Sequence, residues 1–125
     1  SSPGVRVVYA SEHQSTAALE ILVHALAAGV SERYKAFHLT WPDELTETFP
    51  IRGLPADWRA SPPPSSAMQI GDAWVREGRS AVLALPSALS PADTNFLLNP
   101  DHPGFRRVKI GQPIEFEFDP RLLRR

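Results

Sequence analysis

The chain has 125 residues and a mass of 13.8 kDa, which is enough for one hydrophobic core but hardly for two. Its 13 basic and 14 acidic residues leave a formal net charge of -1, so no overall positive field favours binding to nucleic acid or anionic lipid. The absence of cysteine excludes disulfides, thiolate metal sites and a cysteine nucleophile, and it suits a reducing compartment. We therefore expect one cytoplasmic domain that binds neither nucleic acid nor a membrane.

Three segments in the first half of the chain have the pattern of β-strands. Residues 5–10 are β-branched and aromatic and follow a Ser-Pro-Gly turn, so they predict a strand with Tyr9 near its end. Alternation within residues 31–40 predicts a second strand, and residues 45–49 predict a short third one. The prolines that follow predict mostly loop.

The strongest helix signal lies in residues 17–28, which are apolar around almost the whole circumference and predict a helix buried on most sides. Ser11 is the predicted N-cap and Gly29 the C-terminal cap residue. Glu20 and His24 interrupt the apolar surface, and their spacing of four puts them on one face. An internal pair and a functional site explain these two residues equally well, because buried ionisable groups occur in both.

The second half predicts a helix over residues 65–76 with a serine cap and Gly78 at its end, and a doubly covered strand over residues 81–85. One helical turn is predicted at residues 90–93, and a half-buried strand at residues 114–118. This order of elements predicts an α+β fold rather than a regular parallel α/β array. We expect a single compact domain with mixed or antiparallel sheets and a buried central helix.

Other polar or aromatic residues have ordinary structural explanations when each is taken alone. A strand aromatic such as Tyr9 is more often a core residue, and Ser87 after a proline is typical of a turn. Turn and cap roles also explain Asn95, Asn99 and His102. The four histidines show no paired metal-ligand spacing, so no metal site is expected.

Six short segments, taken together and in this order, resemble the RES domain family. They are residues 8–12 (VYASE), 17–24 (AALEILVH), 54–58 (LPADW), 70–74 (IGDAW), 85–88 (LPSA) and 95–103 (NFLLNPDHP). Members of this family are the toxins of Xre-RES toxin-antitoxin pairs, and their fold is similar to that of ADP-ribosyltransferases. The resemblance implies that residues 1–125 form a single RES-type domain.

The resemblance also implies a toxin that degrades NAD by hydrolysis or phosphorolysis of the nicotinamide-ribose bond. Transfer of ADP-ribose to a protein target is an alternative that differs only in the acceptor. A non-catalytic module that binds a partner is a third interpretation. The implied substrate is NAD, without a metal, and the implied partners are an Xre-type antitoxin, a second copy in a homodimer and, for the transferase, a protein acceptor.

The family is named for an arginine, a glutamate and a serine. Glu20 and Ser87 match the last two, and Tyr9 matches a tyrosine at the end of the first motif strand. The resemblance implies that Glu20, Tyr9 and Ser87 are catalytic and that Tyr9, Ser87 and Asn99 contact NAD. The arginine precedes the turn that residues 1–4 resemble and has no counterpart here, so we expect the domain to lack its N-terminal segment and its activity to require that arginine.

The residue types suit this chemistry. Loss of nicotinamide builds positive charge on the ribose through an oxocarbenium-like transition state. A carboxylate fixed on a rigid helix, as predicted for Glu20, stabilises such a charge. Tyr9 suits stacking against the cationic nicotinamide ring, and the hydroxyl of Ser87 suits a hydrogen bond to the ribose or the carboxamide.

Overall fold

The computed structural model describes residues 6–28, 33–60 and 65–123, with the side chains of all of these except 24–28, 65–67 and 123. The helices of the described chain are α1 (Gln14–Ala28) and α2 (Ser65–Glu77). The strands are β1 (Val8–Ser11), β2 (Arg33–Ala36), β3 (Leu39–Thr40), β4 (Thr46–Thr48), β5 (Val82–Pro86), β6 (Thr94–Leu98), β7 (Lys109–Ile110) and β8 (Ile114–Glu117). Short 3-10 helices cover Asp43–Leu45, Ile51–Gly53, Pro103–Arg107 and Pro120–Leu123.

A four-stranded sheet with the order β1-β6-β5-β4 is the frame of the domain. β6 runs antiparallel to both of its neighbours, whereas β4 and β5 are parallel. Two separate antiparallel ribbons are formed by β2 with β8 and by β3 with β7. The predicted α+β class with mixed sheets is therefore confirmed.

Hydrophobic clusters lie on both faces of this sheet, because adjacent strand residues point to opposite faces. Leu83 and Leu97 pack with the fully buried Trp74 of α2 on one face, which we call the α2 face. Val82 and Leu98, their neighbours in the same two strands, belong to the cluster on the opposite face. β5 is thus covered on both sides, as its apolar run predicts.

The helix predicted over residues 65–76 is confirmed by α2. Gly78 follows its last residue with a φ of 60°, a left-handed conformation that glycine adopts without the steric cost of a Cβ atom. The indole Nε1 of Trp74 donates to Ser80 Oγ at 2.7 Å, so burying the ring leaves its polar group satisfied. α2 therefore packs on the sheet through its apolar face and is hydrogen-bonded to the segment that leads into β5.

The strand β6 is missing from the sequence prediction, which assigns turn and cap roles around residues 95–103. In the structure β6 lies between β1 and β5 and is a central strand. Its apolar part is only three residues long and is flanked by Asn95 and Asn99, so local propensity favours a turn. Pairing on both sides overrides that propensity.

The single helical turn predicted at residues 90–93 is also wrong. The segment is a hydrogen-bonded turn in which Asp93 N donates to Ser90 O at 2.8 Å. The side chain of Ser90 donates to the Asp93 carboxylate at 2.9 Å, as a capping serine would do, but no helix follows. Pairing of β6 with β5 from Thr94 onward draws the chain into an extended conformation instead.

The predicted helix 17–28 is confirmed by α1, but its predicted burial on most sides is wrong. Leu19 and Val23, one turn apart, are exposed to 46% and 45%. A sheet covers only the helix face that is turned towards it, so an apolar helix retains an open face unless another layer packs there. The proposed cap Gly29 lies outside the described residues. Over the described part of the chain, neither helix has both the length and the apolar character needed to cross a bilayer.

The remaining strand predictions are confirmed in part. The strand predicted within residues 31–40 is divided into β2 and β3, because the two pieces pair with different partners. β8 confirms the alternating strand near the C-terminus, although Ile114 in it is 57% exposed. β1 and β4 lie close to the predicted segments 5–10 and 45–49, with Val5 outside the described residues.

Leu83→Ala tests the core that holds this sheet together. We expect it to lower the free energy of unfolding by about 2–5 kcal/mol, because it removes a fully buried side chain from between α2 and the sheet. Leu19→Ala, on the open face of α1, is the matched control and is expected to change stability by less than about 1 kcal/mol. Urea unfolding of both variants measures the difference, and equal losses would contradict the assigned burial.

Candidate active site

The carboxylate of Glu20 projects from α1 towards the ends of β5 and β6. Its Oε1 atom accepts a hydrogen bond from Asn95 Nδ2 at 2.8 Å and another from Ser87 Oγ at 3.2 Å. Both donors bind the same oxygen, and Oε2 has no hydrogen-bond partner among the described residues. One oxygen therefore fixes the carboxylate in place, and the side chains that the structure describes leave the other open to a further contact.

The register of the sheet brings the donors together. Asn95 in β6 lies opposite Ser11 of β1 and opposite Leu85 of β5, so these residues share the α2 face. Ser87 comes two residues after Leu85 and continues that face beyond the end of β5. Glu20 thus meets one donor in β6 and a second donor just beyond the end of the adjacent strand β5.

A second hydrogen bond fixes the amide of Asn95. Ser11 Oγ donates to Asn95 Oδ1 at 2.8 Å, so the amide oxygen points to β1 and the amide nitrogen points to Glu20. Ser11 is the predicted N-cap of α1, but the structure places it at the end of β1, three residues before Gln14, the first residue of the helix. Its hydroxyl is the first donor in a hydrogen-bonded polar chain, Ser11-Asn95-Glu20, instead of capping the helix.

Ser87 lies behind the carboxylate and is completely buried. Its hydroxyl oxygen accepts hydrogen bonds from the backbone N–H groups of Leu89 and Ser90, each at 3.2 Å. A hydroxyl has one hydrogen to donate, and in this arrangement it goes to Glu20. Direct contact of Ser87 with NAD stays a prediction; the structure assigns its hydroxyl to Glu20.

Tyr9 is exposed at the edge of the same site. It lies two residues before Ser11 in β1, about 7 Å along the strand, and on the same face of the sheet. Its side chain is 64% exposed, so the core position that burial statistics favour for a strand aromatic is wrong. An accessible aromatic ring therefore lies beside the polar chain that ends at Glu20.

Asn99 lies at the other end of β6, about 13 Å along the strand from Asn95. It is buried, its Oδ1 accepts from the N–H of Asp101 at 3.0 Å, and its own N–H donates to Ala81 O at 2.9 Å. The structure does not bring Asn99 together with Glu20 and Ser87, and its contact with NAD stays a prediction. The turn role that its residue type favours is confirmed.

Two histidines that the sequence singles out are not part of this arrangement. His102 accepts a hydrogen bond from the N–H of Gly104 at 2.9 Å and caps the 3-10 helix that follows it. The side chain of His24 lies outside the described residues, so its predicted pairing with Glu20 stays a prediction.

Asp93 ties the loop after β5 to the first turn of α1. Its Oδ2 accepts from Ser90 Oγ at 2.9 Å and from Thr16 Oγ1 at 3.0 Å, and Thr16 is almost completely buried. These bonds favour the ionised carboxylate, so they lower the pKa of Asp93 below its ordinary value of 3.8, with Ser90 as the largest cause and the charge of His13 as a smaller one.

Asp93 also belongs to a group that could hold a metal ion. Glu12, His13 and Asp93 each offer one ligand atom, and these atoms all lie within 4.8 Å of one another. Oxygen and imidazole ligands of this kind suit a divalent cation. The carboxylates also have hydrogen-bond partners of their own, since Glu12 Oε1 accepts from the N–H of Thr94 at 3.0 Å.

Sequence reasoning missed four residues that contribute to the site or support it: Ser11 as a side-chain donor, Thr16, Asp93 and Asn95. The contacts Ser11–Asn95 and Thr16–Asp93 join residues 84 and 77 positions apart. The one local signal was the crowding of polar residues around an apolar triplet in residues 95–99. That signal fits a turn equally well, so only the sheet register identifies Asn95 as a donor to Glu20.

A family model described as RES domain matches residues 1–119 of the chain. The chain is 31% identical over 125 residues to a protein of Sphingobium sp. (strain YBL2) named Prs ADP-ribosylating toxin, and the match covers 98% of this chain and 78% of the relative. It is 34% identical over 120 residues to a protein of Yersinia enterocolitica named Toxin Res, with 95% and 79% covered. A protein of Photorhabdus laumondii, also named Toxin Res, is 30% identical over 122 residues, with 97% and 78% covered.

Asn95→Asp tests the contact that fixes Glu20. The change replaces the donor at 2.8 Å with a second carboxylate, so we expect the free energy of unfolding at neutral pH to fall by about 1–3 kcal/mol. Gln69→Glu, which adds the same charge at an exposed position of α2, is expected to change it by less than about 0.5 kcal/mol. Urea unfolding compares the two, and equal stability of the variants would contradict the assigned contact.

Asp93→Asn tests the lowered pKa. A carboxyl with a lowered folded-state pKa stabilises the fold fully above its unfolded value, near 3.8, and this stabilisation is lost as the pH falls through the lower folded value. The asparagine side chain has no carboxylate to protonate. We therefore expect the unfolding free energy of Asp93→Asn to fall less steeply than that of the wild type between about pH 5 and pH 2. Asp57→Asn, at an exposed position, should keep the wild-type slope, and a wild-type slope for Asp93→Asn would contradict the assignment.

Proposed function

The chain belongs to the RES domain family, and on that basis we propose that it is a toxin that consumes NAD by cleaving the bond between nicotinamide and the ribose. The curated relatives that support this proposal are named toxins, and one of them is named for ADP-ribosylation. The structural observation that carries the proposal is a carboxylate, Glu20, held through one oxygen by a donor in β6 and a donor in the loop after β5.

The proposed reaction places specific demands on a protein. As the bond between ribose C1′ and the pyridinium nitrogen breaks, its electron pair passes to the nitrogen and nicotinamide leaves as a neutral molecule. C1′ gains a bond to an oxygen of water, phosphate or a protein side chain; when water or a side-chain hydroxyl is the acceptor, its proton passes to solvent. Positive charge therefore develops on the ribose and then disappears, so a fixed anion beside C1′ stabilises the transition state more than the bound substrate.

Glu20 meets this demand. Asn95 and Ser87 restrict the carboxylate to one position before the substrate arrives, so no reorganisation is needed during the reaction. Oε2 is the atom proposed to face the ribose, either against the developing charge or as acceptor for a ribose hydroxyl. Glu20 is thus the proposed catalytic residue, and Asn95 is proposed to position it.

Two further residues have proposed roles beside Glu20. Tyr9, exposed on the same face of the sheet, is proposed to stack against the nicotinamide ring while the ring is cationic. Ser87 is proposed to act mainly by holding the carboxylate of Glu20 in place, because it donates its only hydroxyl hydrogen to that carboxylate. The predicted contacts of Ser87 and Asn99 with NAD remain part of the proposal. For either contact to form, the side chain would have to leave its present hydrogen bonds and turn towards NAD.

ADP-ribosyl transfer to a protein is the second candidate. The name of the Sphingobium relative favours it, since that protein is named a Prs ADP-ribosylating toxin. The same carboxylate serves both reactions because bond cleavage at C1′ is common to them. The group that reaches C1′ decides between the two reactions: water or phosphate gives NAD degradation, and a protein side chain gives ADP-ribosyl transfer.

The proposed partners follow from the family. We propose an Xre-type antitoxin and a second copy of the chain as protein partners.

Glu20→Gln tests the proposal in the full-length protein. The amide oxygen can still accept hydrogen bonds from Asn95 and Ser87, so the fold should be retained while the charge is lost. We expect kcat for NAD consumption to fall on the order of 100-fold or more, because the charge opposite the ribose is removed. Glu115→Gln, at an exposed position of β8, is the matched control and should keep wild-type activity.

Nicotinamide release followed by NMR measures the rate, and the second product identifies the acceptor. Free ADP-ribose indicates hydrolysis, ADP-ribose 1-phosphate in phosphate buffer indicates phosphorolysis, and a modified band with purified Prs indicates transfer. A Glu20→Gln variant that folds and consumes NAD at the wild-type rate would overturn the role of Glu20. A wild-type protein that releases no nicotinamide in any of the three assays would overturn the proposed activity and favour a binding module.

A further inference from the structure

We propose that Asp93 is a positioning residue of the active site, which holds the loop carrying Ser87 in hydrogen-bonding distance of Glu20. This inference rests on the proposed function and adds to it a residue that makes no hydrogen bond to Glu20. The loop in question, residues 87–93, connects β5 to β6 and is called the serine loop below.

The backbone of Asp93 closes the serine loop. Its carbonyl oxygen accepts a hydrogen bond from Ser87 N at 2.9 Å, and its own N–H donates to Ser90 O at 2.8 Å. The hydroxyl of Ser87 in turn accepts from the N–H groups of Leu89 and Ser90. The position of the Ser87 hydroxyl therefore depends on the conformation of the whole loop.

The side chain of Asp93 attaches this loop to α1. Oδ2 accepts one hydrogen bond from Ser90 within the loop and one from Thr16 in the first turn of the helix. Thr16 is 1% exposed, so its hydroxyl has no access to water and relies on this carboxylate as its acceptor. The bond thus links a buried hydroxyl of α1 to a partly exposed carboxylate of the serine loop.

Thr16 and Glu20 lie one helical turn apart, about 6 Å along the axis, on the same face of α1. The serine loop therefore contacts this helix face at two points, Thr16 with Asp93 and Glu20 with Ser87. The second contact, at 3.2 Å, is long for a hydrogen bond between two oxygens, whereas the first is 3.0 Å. Because the Thr16–Asp93 link attaches the loop to α1, it limits the loop displacement that would lengthen the Ser87–Glu20 bond further.

The two hydroxyls bind the same oxygen of Asp93, which makes the role testable by conservative substitution. An amide oxygen can accept two hydrogen bonds, so Asp93→Asn can keep both links while the charge is removed. Asp93→Ala removes both links. Thr16→Val has nearly the same volume as the wild type, leaves the loop-internal bond of Ser90 intact and removes only the link to α1.

Steady-state kinetics of NAD consumption by the full-length protein provides the first test. We expect Thr16→Val and Asp93→Ala to lower kcat about 10-fold or more with a change in KM below about 3-fold, because misplacement of a reacting group costs rate more than binding. Asp93→Asn should stay within about 3-fold of the wild type, since it preserves the geometry. Asp57→Asn, at an exposed position, is the control and should match the wild type.

A double-mutant cycle separates positioning from a general loss of stability. If Asp93 acts through Ser87, Thr16→Val should change kcat by less than about 2-fold when it is added to Ser87→Ala. Independent effects that multiply would overturn the proposal. So would a Thr16→Val variant with a lowered Tm but wild-type kcat at a temperature where it is fully folded, because that result assigns the link to stability alone.

NMR of the backbone amides of Leu89 and Ser90 and of the side-chain amide of Asn95 gives a readout that does not require activity. Thr16→Val should shift these signals, because the serine loop moves relative to Glu20, and Asp57→Asn should not. Unchanged signals in Thr16→Val would overturn the positioning role. An inactive wild-type protein with the expected shifts would overturn the proposed function while the link between Asp93 and Ser87 stands.

Discussion

The site depends on one carboxylate that is held by one of its two oxygens. Glu20 is partly withdrawn from water in a mainly apolar stretch of α1, and a carboxylate in such surroundings must replace its lost hydration. Asn95 and Ser87 supply that replacement at Oε1, so the hydrogen bonds that make burial tolerable also fix the group in space. The same contacts join α1 to the sheet. Stability and the proposed catalytic geometry therefore depend on the same bonds.

The mixed sheet is what makes this arrangement rigid. β6 pairs on both sides, and apolar clusters cover both faces of the sheet, so the strand that carries Asn95 has little freedom to shift. Ser11 then orients the amide from the neighbouring strand. A group that stabilises transient positive charge is effective only if it does not relax when the charge appears. The position of Asn95 in a central strand satisfies that condition better than a position in a loop.

The serine loop has a different character, because hydrogen bonds rather than apolar packing determine its shape. Ser90, Asp93 and Thr16 form its polar support, and Ser87 is the residue that this support presents to Glu20. Tyr9 is exposed on the same face of the sheet. The arrangement places rigid groups behind the carboxylate and an accessible aromatic ring beside it. A fixed carboxylate next to an accessible ring suits a reaction in which one substrate binds and different acceptors approach it.

Local information in the sequence was sufficient for α1, α2 and β5, because periodicity, caps and a continuous apolar run act over a few residues. It was also sufficient to identify Glu20 as an unusual residue, since a carboxylate within an apolar helix is visible without a structure. β6 was not predictable, because its short apolar triplet between two asparagines favours a turn until strands pair on both sides. The donors to Glu20 come from positions 67 and 75 residues away, and their approach is set by sheet register. Only the tertiary structure decided that Tyr9 is exposed, that one face of α1 is open, and that Asn95 rather than Asn99 reaches the carboxylate, because each of these depends on which layer covers which face.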